Sequence, residues 1–208
     1  MEITTELLRR KLADTELNQD PLNVVMPIGS EQWPRELREA LPRTLKPAGV
    51  LVPVLQRSGG PSLLLTQRSA ALTHHAGQIS FPGGRMEESD ADIEATALRE
   101  THEEVGIEPH LVSVFGWLDA MPTITGYAVT AVVGAVSADA ELRIDRSEVE
   151  EAFEVPLEFL LDRRNARAGV REYMGRTLPV IEFHYGGHRI WGATAQMILQ
   201  LRNKLLKE

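Results

Sequence analysis

A mixed α/β fold is what this 208-residue sequence predicts, on three observations. Apolar and β-branched runs recur through the middle of the chain, a capped helix follows directly on a glycine pair, and a leucine-striped helix closes the C-terminal end. With 43% hydrophobic residues the chain has ample material for a core.

Taken in order, "ELLRRKLAD" reads as a short amphipathic helix. Pro21, Pro27, Pro34, Pro42 and Pro47 then punctuate a stretch with little regular pattern. Residues 1–47 are therefore expected to be an extension packing on a main domain of residues 48–208. From Ala48 the texture turns to β. "GVLVPVL" (49–55), the turn "RSGGPS" (57–62) and "LLLTQR" (63–68) read as a hairpin in which Gly59 and Gly60 supply positive φ. "GQISFP" (77–82) is a further extended piece running into Gly83 and Gly84.

A helix is expected over about 91–105. Ser89 or Asp90 is placed as its N-cap, Asp92 and Glu94 at the positive end of its dipole, and Gly106 with Pro109 as its stop. Strands at 111–118 and 127–136, a short helix near 156–162, strands near 170–174 and 180–184, and a helix over 192–206 complete the reading. Leu199, Leu201, Leu205 and Leu206 on that last helix read either as core or as the contact of a homodimer. Trp33, Trp117 and Trp191 read as packing residues, Trp191 anchoring the final helix.

Composition removes several classes of function. The formal charge is −8 and no Lys/Arg stripe is present, which argues against a nucleic-acid polymer as partner. No cysteine is present, so disulfides, thiolate metal sites and thiol nucleophiles are excluded. Any metal must be held by oxygen or imidazole. The apolar stretches fall short of the roughly 20 residues of a membrane span, and "MEITTELLRRKL" lacks a secretory core. A cytoplasmic protein without membrane partners is the expectation.

The chemistry gathers on the helix after the glycine pair. At about 100° per residue, Glu103 lies at about 300° and Glu104 at about 40° from Glu100, so the three share one arc. Like charges so placed repel by a few tenths of a kcal/mol, and Arg99 offsets only part of this. Such a stripe is either a solvated face or a cradle for a hard divalent ion such as Mg²⁺ or Mn²⁺.

The ordered series of Gly83-Gly84, then Arg99-Glu100-x-x-Glu103-Glu104, then Gly106-Ile107 resembles the Nudix box, Gly-x5-Glu-x7-Arg-Glu-U-x-Glu-Glu-x-Gly-U. Thr101 stands where the box has an aliphatic residue. Fourteen residues separate Gly84 from Arg99, one more than the box has, and either Asp90 or Asp92 stands in for its first Glu. Upstream, "LLTQRSAALTHHAGQISFPGG" (64–84) resembles the additional signature of the coenzyme A pyrophosphatase branch, which shares this longer spacing. Thr73 occupies a place where that signature has Arg.

The resemblance extends over about residues 48–200 and implies an α/β/α sandwich around a mixed sheet. It implies metal ligation by Glu100, Glu103, Glu104 and the Gly84 carbonyl, with Mg²⁺ or Mn²⁺ as cofactor and Arg99 orienting the carboxylates. As base it implies Glu104 or an acid from a downstream loop, for which Glu148 is the candidate. Arg68 and Arg85 are candidates for substrate phosphates, while His74 and His75 fit a polar turn equally well. The implied substrate is a small coenzyme A-like nucleotide. The alternatives are another nucleoside diphosphate derivative, such as ADP-ribose or a dinucleotide, and a binding module without turnover.

Overall fold

The computed structural model describes residues 3–72, 75–173 and 175–206. Thr73 and His74, both in the upstream signature, lie outside the described residues. The chain opens with helix α1 (Thr5–Leu12), capped by Thr4, whose side chain accepts from Leu7 N; it buries Leu7, Leu8 and Leu12. The proline-punctuated stretch carries a further helix, α2 (Arg35–Ala40), that its pattern does not announce. Strands β1 (Lys46–Arg57) and β2 (Gly60–Arg68) form the expected hairpin, with positive φ at Gly60 alone of the two turn glycines.

Two short strands follow, β3 (Ile79–Ser80) and β4 (Gly83–Arg85), so the glycine pair lies within a strand rather than after one. Helix α3 (Ile93–Val105) is next, then β5 (Val112–Trp117), β6 (Met121–Pro122), β7 (Tyr127–Val136) and β8 (Val149–Pro156). Helix α4 (Leu157–Leu161), strands β9 (Arg167–Tyr173), β10 (Arg176–Tyr185) and β11 (His188–Trp191), and helix α5 (Gly192–Leu206) complete the chain.

Strands β1 to β8 form one mixed sheet in which β3, β2, β1, β7 and β5 lie side by side; β4 pairs with β1, β6 with β7, and β8 with β2. Among the described residues only β1 and β7 run parallel, from Lys46 opposite Tyr127 to Leu55 opposite Val136. A parallel pair needs a crossover, and α3 lies on it. Along β1 the side chains alternate as a strand buried on both faces requires. Leu51 packs with Ala97 of α3 and Val132 of β7, whereas Val52 and Val54 face the cluster that holds Leu8, Leu12, Leu160, Ile198 and Leu201. The result is an α/β/α sandwich, with α3 on one face and α1, α4 and α5 on the other. A separate antiparallel sheet of β9, β10 and β11 stands beside it.

Gly49 sets how closely α3 approaches β1. A Cβ there would sit 2.5 Å from the Ile93 carbonyl oxygen and 3.2 Å from Ala97 N. At the C-terminal end, Leu199, Leu201 and Leu205 are core residues, while Leu206 is exposed.

Candidate active site

The N-cap of α3 is Asp92, which accepts from Ala95 N at 2.8 Å; this corrects the expectation of Ser89 or Asp90. Asp90 has a different task. Its carboxylate takes the Arg99 guanidinium in a fork, Nε to Oδ1 and Nη2 to Oδ2, each at 2.9 Å, and also accepts from Glu87 N and Thr96 Oγ1. The Asp90 carboxyl is consequently held well below its ordinary range, Arg99 being the main cause. The acid left open by the longer loop thus resolves into two, one anchoring the arginine and one starting the helix.

Arg99 spends its remaining donors on the site itself. Nη1 donates to Glu100 Oε1 at 2.9 Å and to Glu103 Oε2 at 3.0 Å, and Nη2 reaches the Arg85 carbonyl at 3.2 Å. One planar cation therefore fixes two of the acidic side chains and the backbone beside the glycine pair. Glu100 lies against Gly84, where any Cβ would collide with its carboxylate. Gly83 has φ of 150°, and a Cβ there would sit 2.5 Å from Val50 Cα and collide with the Gly49 carbonyl oxygen, which leaves room for glycine alone.

Glu104 points inward instead. Its side chain is 2% exposed, and it accepts from Arg68 Nη1 at 3.1 Å and from Gly83 N at 3.2 Å. Burial pushes its carboxyl up to about 7; Arg68 and the Gly83 N–H oppose the rise, and the charges of Glu100 and Glu148 add to it. Glu100 is raised as well, first by burial and then, against Arg99, by Glu103 and Glu148. Glu103 is 54% exposed. Thr101, in the aliphatic position of the box, is fully buried and returns its hydroxyl to the Ala97 carbonyl at 2.6 Å.

Glu148 reaches this site because the loop before β8 closes the C-terminal end of α3. Arg143 N and Asp145 N donate to the Val105 and Glu104 carbonyls, Gly106 in the left-handed region ends the helix, and Glu148 O accepts from Ser69 N. The β2–β8 register slips at Gln67/Arg68, next to the residue that pairs with Glu104.

Among the described residues no three acidic or imidazole groups converge on a single point. Arg99 separates Glu100 from Glu103, and Arg68 takes Glu104. The donor set nonetheless suits a divalent cation: it is oxygen only, and two of its carboxyls are raised by burial and mutual repulsion, the condition that a bound cation relieves.

Beside the acidic stripe opens a cleft of about 620 Å³. Arg68, His75, Gln78 and the glycine pair form one wall; Trp33, Leu178, Val180 and Trp191 belong to its apolar side. Trp33 and Trp191, expected to be packing residues, are thus cleft residues, and only Trp117 packs under α3, with its Nε1 donating to Glu94 at 3.0 Å. The Trp33 indole donates to the Pro179 carbonyl at 3.1 Å, and Ile28 and Gln196 exchange two hydrogen bonds of 2.9 Å. These bonds lace the N-terminal segment to β10 and α5. The sequence does not point to Arg171 and Tyr173 in this wall, because β9 is a mostly exposed edge strand and carries no regular apolar alternation.

The profile of the NUDIX domain matches residues 45–175. A protein of Shigella flexneri serotype 5b called "uncharacterized Nudix hydrolase NudL" is 42% identical over 151 residues, 72% of each chain. One of the same name from Escherichia coli O1:K1 is 43% identical over 145 residues, 69% of each. Among solved structures, the NUDIX domain of Shewanella oneidensis NrtR, complexed with ADP ribose, aligns with a TM-score of 0.49 at 19% identity. That alignment covers 76% of this chain and 85% of that one. Among the described residues no helix is long and apolar enough to cross a membrane.

Proposed function

Because this chain belongs to the Nudix hydrolase family, we propose that its substrate is coenzyme A or an acyl or oxidised derivative, cut at the diphosphate. Water adds to one phosphorus, the P–O–P bridge breaks, and the products are 3′,5′-ADP and (acyl-)4′-phosphopantetheine. The observation that carries this reading is the placement of the upstream segment. Arg68, His75, Gln78, Ile79, Ser80 and Phe81, all from the 64–84 stretch, line the same cleft as Gly83 and Gly84.

Glu100, Glu103, Glu104 and the Gly84 carbonyl would hold a divalent ion, whose chemistry there would be to neutralise the diphosphate and lower the pKa of a water. The chain's own residues do the rest. Arg99, anchored by Asp90, positions Glu100 and Glu103. Arg85 lines the cleft one residue beyond the glycine pair, and Arg68 lies between the cleft and Glu104, which supports the reading that both meet phosphate oxygens. Glu104, or Glu148 from the loop tied to α3, receives the proton of the attacking water.

Incubation with coenzyme A and Mg²⁺ or Mn²⁺, followed by chromatography of the products, tests the reading. Formation of 3′,5′-ADP is expected, and Glu103→Gln is expected to abolish it with the melting temperature little changed. Intact coenzyme A alongside hydrolysed ADP-ribose or dinucleotide would assign the cleft to another nucleotide. Binding of coenzyme A without turnover under any metal would mark a sensor.

A further inference from the structure

The cleft wall has a charge pattern opposite to that of the chain. Thirty acidic residues outnumber twenty-two basic ones, yet the described residues lining the cleft include Arg68, Arg85 and Arg171 and neither Asp nor Glu. Arg68 is engaged by Glu104. Arg171 stands apart, on β9 in the second sheet, and among the described residues it has no carboxylate partner. The acid of that region, Glu182, faces Trp191 in the β10–β11 register and is already held by Arg189 Nε and His184 Nε2, each at 2.7 Å. Arg171 instead lies over the Trp191 ring, its Cζ 4.7 Å from the ring centroid. A cation–π contact of this kind fixes a guanidinium's position while leaving its N–H donors free.

An unneutralised, oriented arginine in a cleft wall is a site for an anion. The wall around it is Tyr173, Leu178, Val180 and Trp191, which suits the body of a nucleotide rather than free solvent. Resting on the coenzyme A reading above, we infer that Arg171, stacked on Trp191, receives a second phosphate of the substrate, the 3′-phosphate of its adenosine. The diphosphate at the glycine pair is shared by every candidate nucleotide. A charge bound at a different element would decide among them.

The test compares coenzyme A with 3′-dephospho-coenzyme A as substrates of the parent, Arg171→Gln and Arg171→Lys, with Arg167→Gln as a control for general surface charge. The parent is expected to favour coenzyme A in kcat/KM by roughly tenfold or more, the value of one charge-assisted contact. In Arg171→Gln that ratio should fall to near one, chiefly through the KM for coenzyme A. Arg171→Lys should keep part of the preference and Arg167→Gln all of it. A parent that does not distinguish the two substrates, or an Arg171→Gln enzyme that still does, overturns the inference and leaves the coenzyme A reading standing. If the parent hydrolyses ADP-ribose and neither coenzyme, the substrate reading falls and takes the inference with it.

Discussion

At the scale of single residues, the acidic stripe is three different environments rather than one. Glu103 is solvated, Glu100 is clamped between Arg99 and Gly84, and Glu104 is buried with a carboxyl near 7. Because the folded state raises this carboxyl above its unfolded value of 4.5, the folded metal-free protein holds a proton that the unfolded chain releases. Stability contributed by Glu104 is therefore complete below about pH 4.5 and is lost as pH rises through about 7; the loss is on the order of 3 kcal/mol. Chelator-treated protein should melt lower at pH 8 than at pH 5, and Glu104→Gln should flatten that difference; equal pH dependence in both would contradict the burial argument. The second half of the box was legible in the sequence because its charges repeat at helical spacing. The partition of Asp90 and Asp92 was not, since one extra loop residue shifts the register and only the fork on Arg99 reveals which acid does what.

At the scale of elements, two glycines govern how the site is assembled. Gly49→Ala would force Ile93 and its turn of α3 off the sheet, which overpacking data place at about 1–3 kcal/mol of lost stability. Gly84→Ala should act otherwise, displacing the Glu100 carboxylate. A drop in kcat of tenfold or more is expected with a much smaller change in melting temperature than Gly49→Ala produces. Activity assays beside thermal melts distinguish the two, and equal behaviour would refute the assignment. The long strands β1, β2 and β7 and helices α1, α3 and α5 were readable because each repeats an apolar pattern over several residues. Strands β6 and β11, two and four residues long, are too short to carry a pattern, and their existence depends on the neighbours they pair with.

At the scale of the whole molecule, the N-terminal helix belongs to the core: Leu8 and Leu12 are fully buried in the cluster that includes α5. Leu8→Ala should cost about 2–5 kcal/mol, measured by denaturant unfolding, although Leu8 lies far from the acidic stripe in sequence. Saturating Mg²⁺ or Mn²⁺ should raise the melting temperature of the parent and not that of a Glu100→Gln/Glu104→Gln double variant. An identical rise in both would place metal binding elsewhere.

The profile shared with the family spans residues 45–175, and the glycine pair and acidic helix fall inside it. Trp33, stapled to β10, and Trp191 and Met197, at the junction of β11 and α5, fall outside it, yet they wall the same cleft. The wall of the cleft is thus drawn both from the stretch that the profile matches, which supplies Arg68, Arg85 and Arg171, and from the stretches on either side of it, which supply Trp33 and Trp191. Grafting residues 1–44 and 176–208 from a relative onto residues 45–175 should preserve the reaction and the preference set at Arg171 while changing the KM, through the apolar contacts of Trp33, Leu178, Val180 and Trp191.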